Sequence, residues 1–255
     1  MQANLFAAKS ASPLQVRVGC AGWSLPRAAW PEFPAAGTHL QRYAARLSEV
    51  EINSSFYWPH QPATYARWAA SVPDSFRFSV KLPKTITHQQ RLHDCDALLN
   101  NFLAQVTGLS EKLGCLLVQL PPSLAFDETV ANDFLRNLRQ RYAGLVSLEP
   151  HHESWFEPPA DALLPARKTG RVLADPQVHA AGRKPSGFDR LVYLRLHGSP
   201  RMYYSAYAPA VLDALAIRLD TAARSGASVW CIFDNTAEGS AITDALYTAR
   251  KWASL

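Results

Sequence analysis

Long apolar runs are missing from this 255-residue chain, so no segment reads as a membrane span, which needs about 20 consecutive apolar residues. The first fifteen residues, MQANLFAAKSASPLQ, lack an apolar core of signal-peptide length and read as a loose leader ahead of one domain over 16–255. These absences set the expectation of a cytoplasmic protein without membrane contact. Close cysteine pairs are missing too. Cys20, Cys95, Cys115 and Cys231 form no CxxC unit, which argues against a zinc ribbon or a disulfide framework. Free thiols in apolar segments are expected to pack as small hydrophobes. Runs of basic residues are absent, although 26 Lys and Arg against 21 Asp and Glu leave a net charge of +5. That excess permits an anionic small molecule or nucleic acid as partner, and equally describes a mildly basic, solvated surface. The HExxH, GxSxG and P-loop signatures are absent, so the chemistries tied to them find no support.

What is present is a repeated grammar: an apolar strand that ends in polar residues. It occurs at residues 16–20 (VRVGC), 50–53 (VEIN), 76–81 (FRFSVK), 115–120 (CLLVQL), 145–149 (LVSLE), 171–175 (RVLAD), 191–197 (LVYLRLH) and 228–233 (SVWCIF). Helical patterns stand between most of them. Thr38 reads as an N-cap ahead of Leu40, Tyr43, Ala44 and Leu47, and Pro62 opens a helix that Pro73 closes. A third helix is expected over 97–113 with Gly114 as its stop, a fourth after Asp127, and a short one over 159–169. Pro209 opens a strong helix to about residue 225, and another closes the chain. The segment 175–191 lacks an apolar stripe and predicts an irregular or shortened crossover. Eight strands alternating with helices, with no composition break, imply a single α/β domain of the (β/α)8 TIM-barrel type.

In such barrels the chemistry collects at the C-terminal strand ends. Position there selects Glu51, Glu149, His197, Asp175 and Asp234 as candidate catalytic groups, the carboxylates for acid–base work and the histidine for proton transfer. Glu51 and Asn53 are two apart and would share one face of a strand. Lys81 and Arg195 are candidates to hold a phosphate or carboxylate. His88, Gln119, His152, Asn53 and Asn235 complete the polar set, and Trp23, Tyr57, Trp155 and Tyr203 are candidates to stack on a planar substrate. A Glu149–Arg195 ion pair and packing roles for the aromatics are the alternatives at those positions. No cofactor is expected. A divalent metal held by Glu51, Glu149, Asp175 and a histidine is an alternative. Adjacent side chains in HHE (151–153) diverge and cannot all face one ion.

Taken together the motifs resemble the DUF72 (YecE-like) family. They are GCAGWS at 19–24, VEINSSFYWP at 50–59, FRFSVK with the later ITH at 86–88, LVQLPP at 117–122, Glu149 and His152 with SWF at 154–156, YLRLHG at 193–198 and FDN at 233–235. The resemblance implies a TIM-barrel fold with a polar mouth and brings no reaction with it. Three positions depart from the family pattern. Cys20 stands where a small hydroxyl residue is common, His151 where Arg is usual, and Asp234 where Asn is usual. The resulting expectation is an enzyme, a hydrolase or lyase, acting on a polar substrate that carries phosphate or belongs to a nucleic acid. A non-catalytic binding barrel and a glycosidase are the alternatives.

Overall fold

The computed structural model describes residues 16–177 and 179–255; the expected leader lies outside them. The strands are β1 Val16–Ala21, β2 Glu49–Ile52, β3 Arg77–Lys81, β4 Leu113–Gln119, β5 Leu145–Glu149, β6 Thr169–Arg171, β7 Leu173–Asp175, β8 Ser186–Gly187, β9 Leu191–Leu196 and β10 Ser228–Phe233. The α-helices are α1 His39–Ala44, α2 Pro62–Ala70, α3 Asp96–Val106, α4 Glu128–Arg141, α5 Pro158–Ala166, α6 Pro209–Arg224 and α7 Ser240–Ala253. All ten strands form one sheet in the order β7-β9-β10-β1-β2-β3-β4-β5-β6-β8. Every ladder is parallel except that between β6 and β8. The fold is mixed α/β.

The sheet is curled. β9 and β3 are four strand spacings apart in its order, about 19 Å if it were flat, yet the Tyr193 and Ser79 hydroxyls hydrogen-bond at 2.7 Å. Period-two alternation then sorts side chains by face. Outward residues such as Val50, Ile52, Val146 and Leu148 pack under the helices in the main core. Inward residues make a second, smaller apolar cluster that includes Cys115, Leu117, Leu191, Tyr193, Trp230 and Ile232. Above it the inner face turns polar towards the C-terminal strand ends. The four cysteines are free and buried.

Local chemistry explains most helix starts. Thr38 and Gln41 form a reciprocal capping box on α1, Asp127 accepts from the Val130 amide at the start of α4, and Pro62, Pro158 and Pro209 occupy first-turn positions.

Three local expectations need correction. Asn53 is not part of the second strand: at φ −89°, ψ −22° it leaves β2 and starts a 3-10 turn, Ser54–Phe56. The residue that shares the inner face with Glu51 is Glu49 instead. Gly114 does not stop α3, which ends at Val106 and passes through a 3-10 turn, Thr107–Lys112. Gly114 is the second residue of β4, where an added Cβ would lie 2.4 Å from the Trp230 ring; glycine is there to admit that indole. The expected sixth strand is divided at Val172. β6 pairs with β5, and β7 pairs with β9. Among the described residues, the crossover between β7 and β9 carries a 3-10 turn, Ala180–Arg183, and the two residues of β8 but no α-helix, in keeping with its missing apolar stripe.

Candidate active site at the C-terminal strand ends

Arg195, on the inner face of β9, is wholly buried and sits among three carboxylates. Its Nε and Nη2 donate to Glu51 Oε2 and Oε1 at 3.1 and 2.8 Å, a bidentate fork. Nη1 donates to Glu149 Oε2 at 2.7 Å and Nη2 also to Asp234 Oδ2 at 3.0 Å. His197 lies between the latter two, with Nε2 3.0 Å from Glu149 Oε1 and Nδ1 3.0 Å from Asp234 Oδ2. Gln119 donates to Glu149 Oε2 at 3.1 Å, and the Tyr193 hydroxyl donates to Glu51 Oε2 at 2.8 Å. The alternative of a Glu149–Arg195 ion pair is therefore realised, as one edge of a larger cluster.

The electrostatics follow from enclosure and pairing. Burial by itself would raise Glu149 and Asp234, but Arg195 and the hydrogen bonds to His197 outweigh it, with His151 adding to the effect on Glu149. Both carboxyls are held below their ordinary values, Glu149 far below. Burial by itself would lower His197, but bonds to two carboxylates outweigh it and push the imidazole up to about 9, so it is an imidazolium at neutral pH. Lys81 is pulled down by burial and by Arg195, partly offset by the three carboxylates.

Lys81 Nζ lies 4.1 Å from the Phe56 ring centroid, and the His88 ring meets the same phenyl edge-on at 4.9 Å. Burial, Lys81 and His151 all lower the His88 pKa. Ser55 donates to the Ile52 and Lys81 carbonyls and fastens the ends of β2 and β3 together. Tyr203 stands edge-on to His197 at 5.7 Å. Tyr57 and Trp58, 57% and 72% exposed, project from the turn after β2.

Of the residues expected at the mouth, Glu51, Lys81, His88, Gln119, Glu149, Arg195, His197, Tyr203 and Asp234 are brought together, with Tyr57 near by. Others are held elsewhere. Val172 packs in the inner cluster, so its alternates face outward; Asp175 accepts from the Tyr207 hydroxyl at 2.8 Å, away from Arg195. Asn235, one past the inward Asp234, braces the Ser205 carbonyl and Asp244. Trp155 is buried, donates to the Leu124 carbonyl and packs on Phe126. Trp23 packs edge-on against Trp68. His152 accepts from the Ser154 amide through Nδ1, whereas its neighbour His151 reaches towards the cluster, 3.5 Å from Glu149. Asn53 is half-buried in its turn.

Sequence reasoning overlooked Glu49, Ser79 and Tyr193, and noted His151 as a departure from the family pattern without counting it among the site residues. The signal was period two: each is two residues along its strand or strand end from Glu51, Lys81, Arg195 or Glu149. Glu49 is fully buried, and neither carboxyl oxygen has a hydrogen-bond partner among the described residues. Burial and the nearby Glu51 push its pKa far up, Arg17 only partly opposing them.

Among the described residues, no group of three or more His, Cys, Asp or Glu side chains is arranged to hold a metal ion, and no helix is long and apolar enough to cross a membrane. The positive guanidinium of Arg195 fills the space between the carboxylates.

Comparison with known proteins adds the family context. The profile of the family described as "Protein of unknown function DUF72" matches residues 17–254. The UPF0759 protein YecE of Escherichia coli K12 is 32% identical over 173 residues, 65% of this chain and 61% of that protein. The UPF0759 protein YunF of Bacillus subtilis 168 is 29% identical over 154 residues, 56% and 53% of the two chains. The match thus spans less than two thirds of either relative's length. A crystal structure of a DUF72 family protein from Enterococcus faecalis V583 superposes with a TM-score of 0.77 at 20% identity, over 94% of this chain and 96% of that one. One from Thermotoga maritima MSB8 gives 0.74 at 24%, over 92% and 98%. The likeness to these two is one of fold.

Proposed function

The chain belongs to the DUF72 family of proteins of unknown function, and on that premise we propose that its inner strand ends form the active site of a hydrolase or lyase for phosphate-bearing substrates. The observation that carries the reading is Arg195, wholly buried and bonded to three carboxylates. Buried ionic clusters contribute little net stability compared with apolar packing of the same volume, so a knot of this size at the catalytic end of a sheet favours function. We also read β6 and β7 as two halves of one strand interrupted at Val172, and the two-residue antiparallel β8 as an appendage to it, so that the remaining eight parallel strands form a (β/α)8-type barrel and residues 16–255 one domain.

Roles follow from pKa values driven apart. His197, held protonated by Glu149 and Asp234, is the general acid. His88, whose pKa is lowered, is neutral at pH 7 and is the general base. Lys81 and His151 attract the substrate phosphate, and Tyr57 and Tyr203 flank whatever the phosphate is attached to, a nucleotide or nucleic-acid strand being one fit. Glu51, Glu149 and Asp234 then fix Arg195 and His197 and do not exchange protons themselves. A glycosidase needs one free carboxylic acid beside a carboxylate, and the sharing of Arg195 by Glu51 and Glu149 disfavours it.

The test is turnover of a panel of phosphomonoesters and phosphodiesters by the full chain, with Lys81→Met and His197→Asn compared. The reading expects Lys81→Met mainly to raise KM and His197→Asn mainly to lower kcat by about 100-fold or more. Phosphate-ester binding without turnover across the panel would favour a binding barrel instead.

A further inference from the structure

β1 to β5, β9 and β10 are each followed by an α-helix on the outer face of the sheet, whereas the described residues of the crossover from β7 to β9 hold none. A half-open groove of about 530 Å³ is left between β7, β9 and α6. Its apolar side is formed by Leu173, Leu194, Leu196 and Leu215, all buried. Arg183 and Arg218 stand at its rim, exposed. Neither guanidinium makes an ion pair or side-chain hydrogen bond with another described residue. The groove's carboxylate, Asp175, is taken by the Tyr207 hydroxyl. The volume falls in the range of small-molecule sites, about 300–1,000 Å³.

We propose that this groove binds an amphipathic anion: a carboxylate or phosphate head carried on one apolar chain or ring. The leucines take the apolar part, whose removal from water supplies the driving force. The two guanidiniums, without another partner among the described residues, take the head, for which their planar forks suit either oxyanion. A cation would meet two like charges and one occupied carboxylate. The groove is on the outer face, separate from the mouth, and the proposal does not depend on what the mouth does.

Titration calorimetry of the full chain with decanoate, decyl phosphate, decanol and decyltrimethylammonium, each below its micelle concentration, tests it. The expected result is saturable 1:1 binding of decanoate or decyl phosphate, with the tighter of the two identifying the head. Decanol should bind about tenfold more weakly or worse, and the cation should not bind. Arg183→Glu with Arg218→Glu should weaken the anion by about tenfold or more, and Ala214→Trp, which fills the groove from the wall of α6, should abolish binding. Thermal unfolding checks that each variant folds; if the Trp variant does not, the surface Arg pair decides. No saturable binding at millimolar ligand overturns the proposal. So does decanol matching the anion, or anion binding that survives in a folded Ala214→Trp protein.

Discussion

Three carboxylates, Glu51, Glu149 and Asp234, share their enclosure with Arg195, His197 and Lys81, so the inner face approaches charge balance only while Arg195 is present. Replacing it by Met leaves the carboxylates buried without their common partner. The expected cost is about 3–5 kcal/mol, read from urea unfolding; a loss below about 1 kcal/mol would contradict the geometry. His197 makes a pH prediction. Its pKa rises from 6.5 to about 9 on folding, so the folded state binds the proton more tightly. The stabilisation is complete below pH 6.5 and disappears as pH rises through about 9, with a maximum of about 3 kcal/mol. His197→Asn should flatten that part of the stability–pH curve. Glu49 also has a raised pKa, so its ionisation opposes folding as pH rises above the ordinary carboxylate range. Glu49→Gln keeps the shape and removes the charge. It should be at least as stable as the wild type at pH 7 and increasingly more stable at higher pH, and the infrared band of a buried protonated acid should be lost.

The legibility of these residues in the sequence depended on strand parity. Glu51, Glu149 and Arg195 could be placed because each lies at or next to the end of a strand whose apolar neighbours alternate with it. Asp175 could not, since Val172 and Leu173 are both buried, on opposite faces, and a strand covered on both sides gives no clue to which face its last residue takes. The same ambiguity hid Asn235 beside Asp234, and His151 beside His152.

At the scale of elements, capping and turn chemistry were readable: Thr38, Asp127, Pro62 and Pro209 mark helix starts that the structure keeps. Gly114 was misread because glycine serves helix ends and close approaches equally well. Only the three-dimensional position of Trp230, more than a hundred residues later, distinguishes them. Gly114→Ala should therefore cost about 1–3 kcal/mol through overpacking, and Trp230→Phe should recover part of that cost in the double variant. Additive losses in thermal or urea unfolding would deny the contact. The break at Val172 was equally illegible, because RVLAD is apolar throughout its middle and the change of partner from β5 to β9 is a tertiary event.

At the scale of the molecule, a curled parallel sheet gathers residues from β2, β3, β5, β9 and β10 into one polar end, while the helix-free crossover leaves a second concavity outside. The alternation of strands and helices announced the first, and the missing apolar stripe over 175–191 announced the irregular crossover, though not the groove beside it. The central claim concerns the polar end, where His197 and His88 have pKa values moved in opposite directions. The most direct measurement is kcat/KM for a turned-over phosphate ester from about pH 5 to about pH 10, for the wild type, His197→Asn and His88→Asn. The account predicts a bell in the wild type. Its alkaline limb near pH 9 should be lost in His197→Asn, and its acidic limb below pH 6.5 should be lost in His88→Asn. A wild-type profile without an alkaline limb, or folded variants that keep both limbs and full activity, would contradict it.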